Sequence, residues 1–461
     1  MASRHEMNMC EGSILKKMII FALPLMITNV LQVVFNATDV AVLGILVGDD
    51  AVAAVGSTAS LINLITCVFI GLSIGTNVLV ARLMGEGNVE RARKAVGTSM
   101  FIGIAGGLLI AVIGIFFSKT FLEWTACDSA VIDMAEKYLV IYLLGAPVVL
   151  LYNFASAVLR AVGDTTRPMI YLIIGGVSNV LLNIFFIKVF GMDVEGVAIA
   201  TITSQLISSV LAVIALMKSD GYGRLQLKRI RIYKEEFIYI LKVGVPSGFQ
   251  SGMFSLANVV IQSSINSLGK AIMSANTIAV QIEGFTYQAI HAMSLAAISF
   301  TSQNYGAGDM GRVKKVMWQS TLLATVVGLC VGGAMALFRY PLCDIMSNDS
   351  SIINAAAQRV LMCGLTYFTC GIMDTFGGMI RGLGKSTLGM IISLFGSCGL
   401  RLLWVFTVFK LYPTYLVLIA VFPISWTITS IIYLCVLIPL VKKIEKDMNK
   451  RKAEQQSVLS H

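Results

Sequence analysis

The sequence predicts an all-α polytopic membrane protein with twelve transmembrane helices. Of the 461 residues, 57% are hydrophobic and only 13% are charged, which is more apolar surface than a soluble fold can bury. Twelve apolar stretches are also long enough to cross ~30 Å of hydrocarbon at about 1.5 Å per residue. The predicted spans are 18–46, 53–81, 93–117, 134–162, 168–190, 196–217, 237–268, 273–302, 313–338, 354–383, 387–409 and 414–441.

The basic residues are distributed unevenly between the two sides of the predicted bundle. If the N-terminus is cytoplasmic, the cytoplasmic connections and both tails hold 27 of the 35 Lys and Arg residues, and Arg401 is the only one placed well within a span. This bias predicts a plasma or inner membrane protein with both termini in the cytoplasm. The net charge of +10 therefore indicates contact with anionic lipid rather than nucleic acid. The outer side holds Lys119, Lys137, Lys188, Lys270, Arg339, Arg359 and Lys410.

Sequence patterns for a metal, a cofactor or ATP are weak. The nine cysteines form no CxxC pair and the three histidines lack zinc spacing, so we expect no structural metal and no cofactor. The stretch "GLGKST" (382–387) lacks the earlier glycine and the preceding strand of a phosphate-binding loop. We therefore expect no use of ATP, and energy from an ion gradient or a partner.

The chain repeats itself at a spacing of about 221 residues. "MGEGNVERARK" (84–94) matches "YGAGDMGRVKK" (305–315), and "LRAVGDTTRPM" (159–169) matches "IRGLGKSTLGM" (380–390). Six spans in each copy predict two parallel six-helix repeats around a central cavity, which is transporter architecture. The predicted parts are an N-lobe (1–217), a cytoplasmic linker (218–236), a C-lobe (237–441) and a basic cytoplasmic tail (442–461).

Channels and membrane enzymes are also built by duplication, so the repeat alone does not distinguish these classes from a transporter. A channel usually shows pore loops or charge rings, and an enzyme usually clusters His, Asp or Glu. The sequence shows neither pattern, so we expect a protein that is not an enzyme.

Asp39, Glu283 and Asp374 are the acids that lie well within predicted spans, away from their ends. A charge at mid-membrane costs about 3 kcal/mol or more, so such residues are functional candidates. Near Asp39, Asn179 and Asn183 share one helical face, and Thr201 lies at a similar depth on the next span. A carboxylate with amide and hydroxyl oxygens suits a hard cation or a bound proton, although Asn and Thr also simply join membrane helices.

The second half carries its own polar residues. Glu283, Tyr287 and His291 recur every four residues on one span, and Arg401 is a candidate counter-ion for Glu283 or Asp374. Whether these residues form a structural ion pair or a substrate site stays open. Further residues with a possible role are Gln281 and Asn258 in the cavity, and Pro24 and Pro246 as helix bends, fixed or coupled to cation binding.

Several motifs together resemble the multidrug and toxic compound extrusion (MATE) transporters across essentially the whole chain. They are "ALP" (22–24) with Asp39 fifteen residues later, "SNVLLNIFFI" (178–187), "SQNYGAG" (302–308) and the repeated motifs above. The resemblance implies a twelve-helix, two-lobe antiporter. It would export amphipathic, often cationic, small-molecule drugs in exchange for H⁺ or Na⁺ by alternating access. We expect a functional monomer.

The resemblance also implies a cation site formed by Asp39, Asn179, Asn183 and Thr201. Asn183 departs from the family pattern, since an acid often stands there. The C-lobe acids of NorM-type members align with Phe254 and Cys370, so the chain looks closer to the DinF-type branch.

Two alternative functions stay open at this point. One is a flippase for lipid-linked precursors, which would need a cavity rich in Arg and Lys. The other is a membrane receptor or enzyme without transport.

Overall fold

The computed structural model describes residues 6–125 and 127–459, and this part of the chain contains helices and no β-strand. Two π-helical turns, π1 (Leu394–Gly399) and π2 (Val405–Phe409), interrupt one helical run, and a 3₁₀ turn covers Leu227–Arg229. The α-helices are α1 (Ile14–Leu46), α2 (Asp49–Gly85), α3 (Val89–Trp124), α4 (Ile132–Leu144), α5 (Ala146–Ala161), α6 (Thr166–Phe190), α7 (Val194–Met217), α8 (Lys234–Asn266), α9 (Lys270–Gly306), α10 (Met310–Leu337), α11 (Arg339–Asp344), α12 (Ser350–Gly382), α13 (Ser386–Ser393), α14 (Leu400–Trp404) and α15 (Tyr415–Leu459).

Each of the twelve predicted spans falls on a helix or on one continuous helical run. The helices α4 and α5 make one span, bent by 48° beside Pro147, and the run from α13 to π2 makes another. Among the described residues, nine runs are long and apolar enough to cross a membrane, and the bent pair is a tenth. The remaining two are α8 and α9, whose buried polar side chains include Ser247 and Glu283. The predicted fold class is confirmed.

The outer surface of the helices is apolar. On α3, Leu108, Val112 and Phe116 recur every four residues and are exposed, whereas Gly107 and Gly114 on the same helix are buried. An aqueous protein would turn such a stripe inward. The helix therefore presents its large side chains to lipid and its small ones to neighbouring helices.

Both copies of the sequence repeat build the same turn between two helices. Gly87 and Gly308 adopt φ of 74° and 73°, a left-handed conformation that favours glycine. The next residue, Asn88 or Asp309, caps the following helix. Its side-chain oxygen accepts from a backbone N–H three residues later, at 3.0 Å and 2.8 Å respectively. The two copies of the motif are therefore similar because each encodes the same glycine turn and the same helix cap.

The chain packs into two compact units. Unit 1 comprises 6–8, 23–84 and 88–252, and unit 2 comprises 9–22, 85–87 and 253–459. One boundary between the units falls within α1, between residues 22 and 23, just before Pro24. Another falls within α8, between residues 252 and 253, six residues after Pro246. Each helix that begins a repeat therefore belongs to both units. The predicted lobe boundaries of 1–217 and 237–441 stay a prediction.

Within unit 2, glycines allow α10 and α12 to approach closely. A Cβ atom at Gly328 would lie 2.6 Å from the Cα of Phe368, and one at Gly332 would strike the carbonyl of Gly364. In a bilayer the hydrophobic effect does not drive helices together. Small residues at such crossings instead stabilise the helix pair by allowing close backbone packing.

Replacing Gly328 by Ala tests this packing. We expect Gly328→Ala to destabilise the protein by about 1–3 kcal/mol, because the added methyl group would overlap the backbone of α12 at Phe368. Thermal unfolding in detergent would measure the loss. The matched control is Gly333→Ala on the same helix, where no atom lies within 4 Å of the new Cβ. The control should be neutral or slightly stabilising, and equal unfolding temperatures for the two variants would contradict the packing account.

Candidate functional site

Asp39 in unit 1 is held by a chain of neutral polar side chains. The Nδ2 of Asn183 donates to the Asp39 carboxylate at 2.7 Å and lies 3.4 Å from the Oδ1 of Asn179. The Nδ2 of Asn179 in turn donates to the Thr201 hydroxyl at 3.3 Å. Asn183 and Asn179 are buried and Asp39 is half-buried. The four residues that the sequence singled out therefore lie in contact with one another.

A small cavity of about 50 Å³ lies beside this chain of residues. That volume has room for a few water molecules or one small cation. It is well below the ~300–1,000 Å³ typical of pockets for drug-sized molecules. Its lining residues are Gln32, Phe35, Asn36, Asp39, Leu172, Gly175, Gly176, Asn179, Thr201, Ser204, Gln205 and Ser208.

Helical periodicity explains which residues line the cavity. On α1 the lining residues Gln32 and Asn36 precede Asp39 by seven and three positions, so all three share one face. On α7 the lining residues Ser204 and Ser208 follow Thr201 at the same spacings. Sequence reasoning missed these polar neighbours, although their spacing from Asp39 and Thr201 was a usable signal.

Two glycines on α6 bring the three helices close enough to form the site. A Cβ atom at Gly175 would overlap the hydroxyl of Ser208 on α7, and one at Gly176 would overlap the ring of Phe35 on α1. Because glycine has no Cβ, α6 lies against both neighbours. The sequence "IGGVSN" (174–179) thus places Asn179 next to Thr201.

The site contains an acid and hydrogen-bond acceptors that lack donors. Among the described residues, no Lys, Arg or His forms an ion pair with Asp39. The buried Oδ1 of Asn183 and Oε1 of Gln205 have no hydrogen-bond donor. Carboxylate, amide and hydroxyl oxygens around a small cavity are a ligand set for a hard cation or a proton carried by the acid.

The acids of unit 2 are bound quite differently. Glu283 on α9 accepts two hydrogen bonds from Arg359 on α12, at 2.9 Å and 2.8 Å. The Tyr367 hydroxyl lies 3.4 Å from the same carboxylate, and Arg359 also donates to Asn276. Glu283 and Arg359 are almost fully buried. This is a bidentate, hydrogen-bonded ion pair between two helices.

Asp374 on α12 has two partners of its own. His291 Nδ1 lies 2.9 Å from one carboxylate oxygen, and Arg381 Nη2 lies 3.5 Å from the other. Arg381 also donates to the Ser294 hydroxyl at 3.1 Å. Tyr287 stacks on His291 with ring centroids 5.8 Å apart. The predicted stripe of Glu283, Tyr287 and His291 therefore divides between two separate ion pairs.

One sequence-based assignment is wrong. Arg401 is not the counter-ion of Glu283 or Asp374, because Arg359 and Arg381 hold these positions. Arg359, counted above with the outer side of the membrane, lies within α12 and is 3% exposed. The predicted span began at 354, which already placed Arg359 more than one helical turn inside. Counting from that boundary would have found it.

The other predicted residues have the following places in the structure. Gln281 and Asn258 are exposed on α9 and α8, and Asn258 accepts from Arg401 at 3.3 Å. Pro24 and Pro246 lie inside α1 and α8. Their role as conformational bends stays a prediction.

Comparison with known proteins identifies the family. A model of the MatE family matches residues 24–185 and again residues 246–407. The chain belongs to the MATE family. The two matches begin at Pro24 and Pro246, so the internal repeat of this MATE protein is confirmed, whereas its predicted DinF-type branch stays a prediction.

Relatives and solved structures cover nearly the whole MATE chain. It is 25% identical over 398 residues to the probable multidrug resistance protein YoeA of Bacillus subtilis, covering 85% of this chain and 86% of that one. It is 28% identical over 411 residues to the probable multidrug resistance protein NorM of Thermotoga maritima, covering 86% of each. An outward-facing MATE family transporter of the MOP superfamily matches with a TM-score of 0.88 at 22% identity, covering 98% of this chain and 100% of that one.

A double-mutant cycle on Glu283 and Arg359 separates a structural role from a transport role. Arg359→Met leaves a buried carboxylate without its cation, so we expect a loss of about 3–5 kcal/mol. Glu283→Gln leaves the opposite charge and should also destabilise. The double variant should recover much of the loss, because no uncompensated charge remains. Thermal unfolding of the four proteins measures this coupling.

Dye transport by the stable double variant completes the cycle. Retained transport would assign the pair to structure. Loss of transport at wild-type stability would contradict a purely structural role.

Proposed function

We propose that this MATE protein is a secondary active multidrug antiporter. It exports amphipathic, often cationic, compounds in exchange for H⁺ or Na⁺ by alternating access. The observation that carries this proposal is a carboxylate in a membrane-spanning helix, Asp39, which accepts a hydrogen bond from the neutral amide of Asn183 and borders a small cavity. Membership of a transporter family with multidrug resistance relatives supports the same conclusion.

The coupling role of Asp39 follows from the cost of its charge. An ionised carboxylate inside the bilayer is stabilised when a proton or cation neutralises it. Asn183 supplies one hydrogen bond but no positive charge. The energy of the site therefore depends on whether an external cation is bound, and this is the property that exchange requires.

The size of the cavity indicates that it binds the coupling ion and not the exported compound. A space of about 50 Å³ admits water or one small cation but no amphipathic drug. Asp39 therefore acts on the cargo through cation occupancy rather than direct contact. A ligand that binds two conformations with different affinity shifts their populations, and the helix α1 that carries Asp39 also carries Pro24.

Asp39, Asn179, Asn183 and Thr201 form the coupling site in this proposal. One carboxylate with three neutral neighbours is compatible with H⁺ or with Na⁺. The protein would be a functional monomer in the plasma or inner membrane, with cytoplasmic termini as the distribution of basic residues predicts.

The flippase alternative requires cationic groups that are available to a pyrophosphate. Unit 2 does bury Arg359 and Arg381 besides Arg401, more cations than the sequence suggested. However, Glu283 neutralises the first and Asp374 the second. A single arginine without an acid partner is a poor match for a group with two or more negative charges, so efflux is the better-supported function.

Asp39→Asn tests the coupling role. Asn has nearly the same shape but cannot exchange a proton or hold a cation by charge. We expect gradient-driven efflux of a cationic dye from vesicles to fall to the background of empty vesicles, with normal expression and folding.

The matched control for Asp39→Asn is the neighbouring substitution Thr38→Val. Thr38 is not among the cavity-lining residues, and its hydroxyl donates only to the carbonyl of Val34 on its own helix at 2.8 Å. The control should transport normally. Full transport by Asp39→Asn would refute the coupling role.

A further inference from the structure

Unit 2 buries three arginines but provides acid partners for only two of them. Arg359, Arg381 and Arg401 are each less than 7% exposed. Arg359 pairs with Glu283 and Arg381 with Asp374. Within the described residues no ion pair includes Arg401, so its charge has no buried compensation from the protein.

The surroundings of Arg401 hold the guanidinium without neutralising it. Its Nε donates to the Ser425 hydroxyl at 3.2 Å and its Nη1 to the Asn258 amide oxygen at 3.3 Å. The guanidinium also lies 4.8 Å from the ring centroid of Phe422 and 5.7 Å from that of Phe254. Neutral acceptors and aromatic faces reduce the cost of burying a cation, but a net positive charge remains.

The backbone on both sides of Arg401 is irregular. The π-helical turn Leu394–Gly399 precedes α14, and a second one, Val405–Phe409, follows it. Such turns are rare and occur frequently at functional sites, because they change the direction in which side chains point. Two of them flank the five-residue segment that carries Arg401.

We propose that Arg401, together with Asn258, binds the carboxylate of an anionic or zwitterionic aromatic cargo. Arginine presents a planar fork that matches a carboxylate. Asn258 is exposed, so a cargo carboxylate can replace its amide oxygen as the acceptor from Nη1. The half-buried ring of Phe254 provides a flat contact for an aromatic body, whereas the buried ring of Phe422 already lies against both Arg401 and Arg359. This inference rests on the proposed efflux function and refines its substrate class.

The charge of Arg401 also implies a preference between otherwise similar compounds. A purely cationic cargo would meet an uncompensated guanidinium and be repelled. A zwitterion with the same body would instead supply the missing negative charge.

A pair of rhodamine dyes that differ in one group tests the inference. The free carboxylic acid is a zwitterion and its ethyl ester is a cation. Fluorescence anisotropy with the purified full-length protein in detergent would give the affinity for each. We expect the wild type to bind the free acid about tenfold more tightly than the ester, the typical gain from one charge-assisted contact.

Two substitutions should each bring the ratio of the two affinities close to one. Arg401→Gln removes the cation. Asn258→Asp keeps Arg401 but provides a permanent carboxylate beside it, so the inference stays testable if Arg401→Gln fails to fold. The charge-matched control is Arg339→Gln, since Arg339 also stacks on an aromatic ring, that of Tyr340 at 4.8 Å, but is the first residue of α11 and has no contact with Arg401 among those of the described residues. The control should keep the wild-type ratio.

The outcomes separate this inference from the proposed function. Equal affinity of the wild type for the two dyes, or an unchanged ratio in both Arg401→Gln and Asn258→Asp, would overturn the inference. Gradient-driven transport of the ester by the same protein after reconstitution into vesicles would leave the efflux function standing in that case. Failure of the wild type to bind or transport either dye would contradict both.

Discussion

A carboxylate inside the bilayer must be neutralised, and the proposed transport by this protein depends on how Asp39 is neutralised. The cost of the charge is several kcal/mol in hydrocarbon, and the only side-chain donor shown for Asp39 is the amide of Asn183. The protein does not supply the missing positive charge among its described residues. A mobile cation or proton can supply it, and this links the energy of the site to the ion gradient across the membrane.

The two units treat buried charge in contrasting ways although the chain is a repeat. Both copies retain the left-handed glycine and the helix cap of the same turn, because those features set the backbone geometry. The charges inside the units are not repeated. Unit 1 holds Asp39 without a cationic partner among the described residues, whereas unit 2 pairs Glu283 and Asp374 each with an arginine and also buries Arg401 without an acid. The duplication thus preserved a scaffold on which two electrostatic environments arose.

The sequence allowed prediction of the long helices and of the residues that share one face of a helix, whereas the short helix α11 and the bend between α4 and α5 were missed. Hydropathy and length identified all twelve helical runs, and four-residue spacing put Asn179 and Asn183 on one face. Pairing between helices was harder, because spacing along one helix does not say which face meets which neighbour. Arg401 was therefore matched to the wrong acids, and Arg359 was overlooked beside a predicted span boundary. The π-helical turns around Arg401 have no simple sequence signal, since they depend on tertiary contacts.

Transport of a cationic dye in proteoliposomes, with a sodium gradient and a pH gradient imposed separately, tests the central claim most directly. The account predicts that at least one of these gradients drives the dye in the opposite direction to the cation. It also predicts that the dye does not accumulate when both gradients are absent. Accumulation that is independent of both gradients, or no response to either one by a folded wild-type protein that binds the dye, would contradict it.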